Sequence, residues 1–195
     1  MPWNLVNGVV YGQDISTNNW YTWDSSANDW NSASPPPANT TSGTSPTTLT
    51  MTAAQTAPAT ISESNIIVRL GSGDRITFSG SGNIIEAGTG TNTLTDDGGK
   101  NTFILPTSGQ DVMSASVLKN GDTFDLTQVL KGTTWSGDQG QLSNYLKIIT
   151  SGKTSGKTND VLDVRNTTMG SYHAAATIDG AGSISLRTFL AHAIT

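Results

Sequence analysis

From Asn65 onward a polar residue recurs at every ninth position, Asn65, Asp74, Asn83, Asn92 and Asn101, and an apolar residue follows each two places later, at Ile67, Ile76, Ile85, Leu94 and Phe103. Five matches in one register form a repeat. Glycines gather just before the polar positions, at Gly71, Gly73, Gly80, Gly82, Gly88, Gly90, Gly98 and Gly99, where tight turns call for positive φ. The unit predicts a turn followed by a short strand. Two units would close one circuit of a right-handed coil, so that equivalent residues stack, the apolar column points inward, and the turns line two edges.

The flanks differ in character. Residues 1–30 carry Trp3, Trp20, Trp23 and Trp30 with Tyr11 and Tyr21 among Asn, Asp, Ser and Gly, a Trp-rich N-terminal segment. Residues 31–60 are largely Ser, Thr, Pro, Ala and Asn and include Pro35-Pro36-Pro37, which predicts an extended linker. Residues 61–110 form the nonapeptide β-roll. Residues 111–195 are expected to cap the open end of the coil, since the last unit of a stack needs a different outer face.

Composition narrows the class. Only 13% of the residues are charged, which suits all-β structure with polar turns better than helices with charged faces. A net charge of −5 with ten scattered Lys and Arg argues against a nucleic-acid partner. With no cysteine, stability has to come from packing, hydrogen bonds or oxygen-ligated metal. No run approaches the ~18 apolar residues of a membrane helix, so membrane insertion is not expected. Met1-Pro2-Trp3 lacks the basic and apolar regions of a cleavable signal, so export would need another one.

The nonapeptides resemble the calcium-binding repeat of RTX proteins, G-G-x-G-x-D-x-U-x, over roughly residues 65 to 105. They depart from it where the ligating Asp should stand: it is Asp at 74 and Asn at 65, 83, 92 and 101. Downstream, Gly121-Asp122-Thr123-Phe124-Asp125-Leu126, Leu142-Ser143-Asn144-Tyr145-Leu146, Ala176-Thr177-Ile178-Asp179-Gly180 and Ser185-Leu186-Arg187-Thr188-Phe189-Leu190 are similar, in order and spacing, to a type I secretion target domain. The resemblance implies a secreted, extracellular protein, passed through the type I secretion machinery and folded by calcium. Asp74, Asp96, Asp97 and Asp111 are the carboxylates nearest the turns and the candidate calcium ligands. The alternative along the same stack is an asparagine ladder holding no metal.

A second candidate site is aromatic. On an extended strand Trp20 and Tyr21 point to opposite faces and Trp23 shares the face of Tyr21. With Trp30 they could stack on the rings of a polysaccharide or cell-surface glycan, or pack onto the flank of the coil. Catalysis finds less support. His173 and His192 are the only histidines, and Asp122 with Asp125, like Asp160 with Asp163, reads as turn capping. The expected fold is therefore an all-β parallel β-roll or β-helix of nine-residue repeats capped by an antiparallel β region. The expected function is a non-catalytic C-terminal module serving export, calcium-dependent folding and carbohydrate or surface binding. A structural or adhesive stalk without a sugar site is the alternative, and a polysaccharide-active β-helix enzyme the third reading.

Overall fold

Triplets such as Ile67-Val68-Arg69 and Ile84-Ile85-Glu86 are β-formers bounded by Gly, Ser and Asn, and strands this short need partners on both edges. The computed structural model, which describes residues 3–6, 9–14, 16–24, 29–34, 46–52, 54–154 and 156–195, supplies those partners by coiling the chain. The strands are β1 (Trp3–Val6), β2 (Val9–Asp14), β3 (Asn19–Asp24), β4 (Asp29–Ala33), β5 (Thr48–Thr50), β6 (Ala59–Ile61), β7 (Ile67–Arg69), β8 (Arg75–Phe78), β9 (Ile84–Glu86), β10 (Thr93–Asp96), β11 (Thr102–Ile104), β12 (Asp111–Ser114) and β13 (Thr123–Asp125). Helix α1 (Thr127–Lys131) follows, then β14 (Leu146–Thr154), β15 (Lys157–Arg165), β16 (Tyr172–Asp179), helix α2 (Leu186–Leu190) and β17 (Ala193–Ile194).

From β5 to β13 successive strands alternate between two sheets, one ordered β14-β15-β16-β12-β10-β8-β6 and the other β17-β13-β11-β9-β7-β5. Pairing along the coil is parallel, with Ile84 beside Thr102 and Arg75 beside Thr93, so one circuit takes two nine-residue units. This is a β-solenoid. The inward column of one sheet is Val68, Ile85, Phe103 and Phe124, and that of the other is Ala59, Ile76, Leu94, Met113 and Ile178. Both columns belong to one buried core. An aromatic spine crosses it: Phe78 to Phe103 at 6.0 Å, Phe103 to Phe124 at 6.1 Å, and Phe124 to Phe189 of α2 at 4.8 Å between ring centres.

The C-terminal region closes the coil in two ways. Strand β16 continues the parallel stack beside β12 while pairing antiparallel with β15, which pairs with β14. Strand β17 extends the other sheet beside β13. The expected antiparallel cap is present, and residues 111–195 also contribute the last parallel rungs. At the opposite end β1–β4 form an antiparallel meander in which β1 lies against β6 and Val10 packs on the core.

Three features differ from the sequence expectation. The coil starts inside the stretch expected to be linker, because β5 pairs with β7 and β6 with β8, and the meander runs on to Ala33. The frame slips by one at its first repeat: Ile67 pairs with Ile84, so Val68 rather than Ile67 joins the buried column. The glycines serve two purposes. Gly73, Gly82 and Gly99 do take positive φ, whereas at Gly80, Gly88 and Gly98 a Cβ would lie 1.7, 2.5 and 2.0 Å from a carbonyl oxygen of the preceding coil.

Close stacking makes the core and these glycines sensitive to change. Ile85→Asp, which buries a charge at a position with 0% exposure, is expected to cost several kcal/mol and to unfold the coil. Gly98→Ala should also lower the melting temperature, because its new methyl meets backbone and not a movable side chain. Thermal melts followed by circular dichroism check both, and an unchanged Ile85→Asp melt would refute the inward column.

Candidate functional site

The polar positions of the repeat stack along the two edges of the coil as ladders. On one edge the Oδ1 atoms of Asn83, Asn101 and Asp122 accept from the backbone N–H groups of Ile66, Asn83 and Asn101 at 3.1, 2.8 and 2.9 Å. On the other, Oδ1 of Asp74, Asn92 and Asp111 accepts from the N–H of Gln55, Asp74 and Asn92 at 2.6, 3.0 and 3.0 Å. Each side chain thus satisfies an amide of the coil before it, at a buried turn where an unpaired N–H would be costly. The second ladder atom is used too, since Nδ2 of Asn83 donates to the Glu63 carbonyl at 2.9 Å and Nδ2 of Asn101 to the Gly80 carbonyl at 3.1 Å.

The four carboxylates expected to hold calcium occupy different places. Asp74 accepts from Gln55 N–H and, through Oδ2, from Gly71 N–H at 2.8 Å. Asp111 stands two rungs further along the same edge, with Asn92 between them. Asp97 is exposed. Asp96 lies on the opposite edge, at an inward position that Phe78 and Ile61 fill in the coils before it. Its carboxylate accepts from Asn101 Nδ2 at 2.6 Å and from Asn120 Nδ2 at 3.3 Å.

The residue that Asp96 faces is Asp122, which the nine-residue frame did not reach. Asp122 is 2% exposed and its Oδ2 has no hydrogen-bond partner. Burial, opposed by the Asn101 amide and reinforced by Asp96, pushes its carboxyl up to about 7. Burial likewise pushes Asp111 up to about 6, its Oδ2 being orphaned, and raises Glu63, both of whose oxygens are unpartnered. Among the described residues no three His, Asp or Glu side chains gather as a metal site. A cation on this edge would take Asp96 and Asp122 with neighbouring amide and carbonyl oxygens, a hard-oxygen donor set that suits calcium.

The other carboxylates have local tasks. Asp125 Oδ1 accepts from Thr127 N–H and Oγ1 ahead of α1, as turn capping predicts, whereas Asp160 lies inside β15 and its Oδ2 accepts from Ser183 N–H and Ile184 N–H of a distant turn, and Asp122 joins the buried ladder instead of capping its own turn. Asp163 pairs with Lys147 at 3.4 Å. Asp122 could have been found by its neighbour: Gly121, like Lys100, Gly82 and Asn65, takes positive φ just before the ladder position.

The aromatic candidates lie on β3 and β4. Trp23 pairs across strands with Trp30, the rings meeting edge to face at 5.3 Å, and Tyr21 shares their face of the sheet. Trp20 is on the other face, between Gln13 and Ala33. All four are half-buried.

The buried carboxyls set a pH dependence. A carboxyl whose folded value is raised favours the native state below its unfolded value, near 3.8 for Asp, and loses that contribution as pH climbs through the folded value. In chelator, stability is expected to fall between pH 4 and 8, passing about 6 for Asp111 and about 7 for Asp122, by on the order of a few kcal/mol. Asp111→Asn with Asp122→Asn keeps both ladder acceptors and should flatten the profile. Urea unfolding at a series of pH values measures this, and an equally steep profile in the double variant would exclude these two groups. Compared with protein family models, curated proteins and solved structures, the chain matches none.

Proposed function

We propose that this chain is a non-catalytic, exported module, a capped solenoid whose folding is completed by calcium outside the cell and whose aromatic sheet meets a surface polysaccharide. The observation that carries the reading is the buried Asp96–Asp122 pair. Every other position of that ladder ends in a neutral amide, and only here do two carboxylates face each other with an oxygen left over. An ion bound there would neutralise the pair, and binding to the folded state alone stabilises by mass action. The export reading fits the same picture, because the segments similar to a secretion target domain form the cap that finishes the core, through Ile178 and Phe189.

Calcium is tested by thermal melting in EGTA and in millimolar CaCl2. The wild type is expected to melt higher with calcium, while Asp96→Asn and Asp122→Asn melt at the same temperature in both. A wild type indifferent to calcium would leave the metal-free stalk. That second reading is favoured by the ladder amides, which already engage every Oδ1 along both edges.

Sugar binding is tested separately, on a panel of soluble and insoluble polysaccharides. If Trp23 and Trp30 form the platform, Trp23→Ala and Trp30→Ala should each weaken binding by ~1–3 kcal/mol without lowering the melting temperature. Loss of stability with no affinity to lose would assign both rings to packing.

A further inference from the structure

Glu63 is a buried carboxylate that neither the ladders nor the calcium reading uses. It lies two residues beyond β6, is 6% exposed, and has no hydrogen-bond partner on either oxygen. The equivalent positions of the next two coils are Gly80 and Gly98, where a Cβ would collide with the coil before at 1.7 and 2.0 Å. A side chain is tolerated at Glu63 because it belongs to the first coil. Glu63 therefore belongs to the end of the stack on which β1 lies against β6 and Val10 packs on the core.

Among the described residues no cation stands beside it, and only the nearby backbone amides of Glu63 and Ser62 favour its ionised form, against the larger effect of burial. Strands β1 and β6 contain no titratable residue, and β2 carries only Tyr11 and Asp14, the latter accepting from Ser16 N–H and Oγ. The facing turn Gly80-Ser81-Gly82-Asn83 is neutral, and Asn83 donates to the Glu63 carbonyl instead of its carboxylate. The first Lys or Arg in the chain is Arg69, which is exposed and paired with Glu86 at 2.7 Å, and Arg75 on β8 is also exposed. Burial disfavours its ionised form, so this group is held in place more readily when neutral.

We propose that Glu63 is a pH-operated latch for the aromatic sheet: protonated, it stays buried and β1–β4 remain seated on the end of the coil, and ionised, it reaches water by lifting the sheet away. Burial raises the carboxyl above its ordinary value, so the sheet is seated in acid and released as pH rises. The two sheets of the coil contain no strand of the meander, which touches the coil through β1 and Val10. Glu63 shares no bond with Asp96 or Asp122, but the ladder that ends in Asp122 reaches the Glu63 carbonyl through Asn83, so the latch is tested in chelator.

Four of the five tryptophans, Trp3, Trp20, Trp23 and Trp30, are on the sheet, and the fifth, Trp135, can be removed as Trp135→Phe. In that background, in EGTA, tryptophan emission is expected to shift to the red and quenching by acrylamide to rise as the pH is raised from acid, with far-ultraviolet circular dichroism of the coil retained. Glu63→Gln should hold the acid spectrum across the range. Glu63→Met, also neutral and of similar length, supplies the same reading if the Gln variant folds poorly. A red shift of equal size in the neutral variants, or none in the parent, would overturn the latch.

Discussion

One hydrogen bond, repeated, governs the molecule: the side-chain oxygen of a turn Asn or Asp accepting from the backbone amide of the coil before it. Strands of three or four residues bury too little to hold together alone, and turns pressed against one another cannot reach water. The Asx side chain answers both needs, because it is short, carries an acceptor at the right reach, and in the case of Asn supplies a donor for a second bond. The glycines follow from the same spacing. Coils drawn this close leave no room for a Cβ at Gly80, Gly88 or Gly98.

Against that background Asp96 and Asp122 are informative by contrast. A ladder built for stability alone would be served by amides throughout, which bond equally well and carry no charge. Placing an inward carboxylate where two earlier coils have Ile61 and Phe78, and facing it with a second, sets a local penalty in the core. A proton or an ion would relieve it, which is the conditional stability proposed above.

The central coil was legible because its two-unit circuits keep an even length from Asn83 to Asn101, so a fixed count finds both the ladder and the core. The first rung misled because Asn65 serves another purpose there: it takes positive φ, and Ile66 occupies the ladder position. Asn is at home in either role, so the spacing looks unbroken. Asp122 was hidden by added length, the 3₁₀ turn Ala115–Leu118 lying in the circuit that leads to it. Strands β5 and β6 escaped because Thr and Ala in a Pro-containing stretch resemble a linker until a neighbouring rung pairs with them. Glu63 reads as a solvated turn residue in sequence, and its burial depends on packing that no local pattern records.

The ladders also have a direction. In both ladders the backbone amide of one coil donates to the side-chain oxygen of the coil after it, so the ladder amide of each rung is satisfied from its C-terminal side. Removing a coil from the beginning would strand acceptors that water can serve at an open end, whereas removing one from the end would orphan buried amides. With that polarity, the loss of a whole circuit would cost the ladders less at the N-terminal side than at the closing segment.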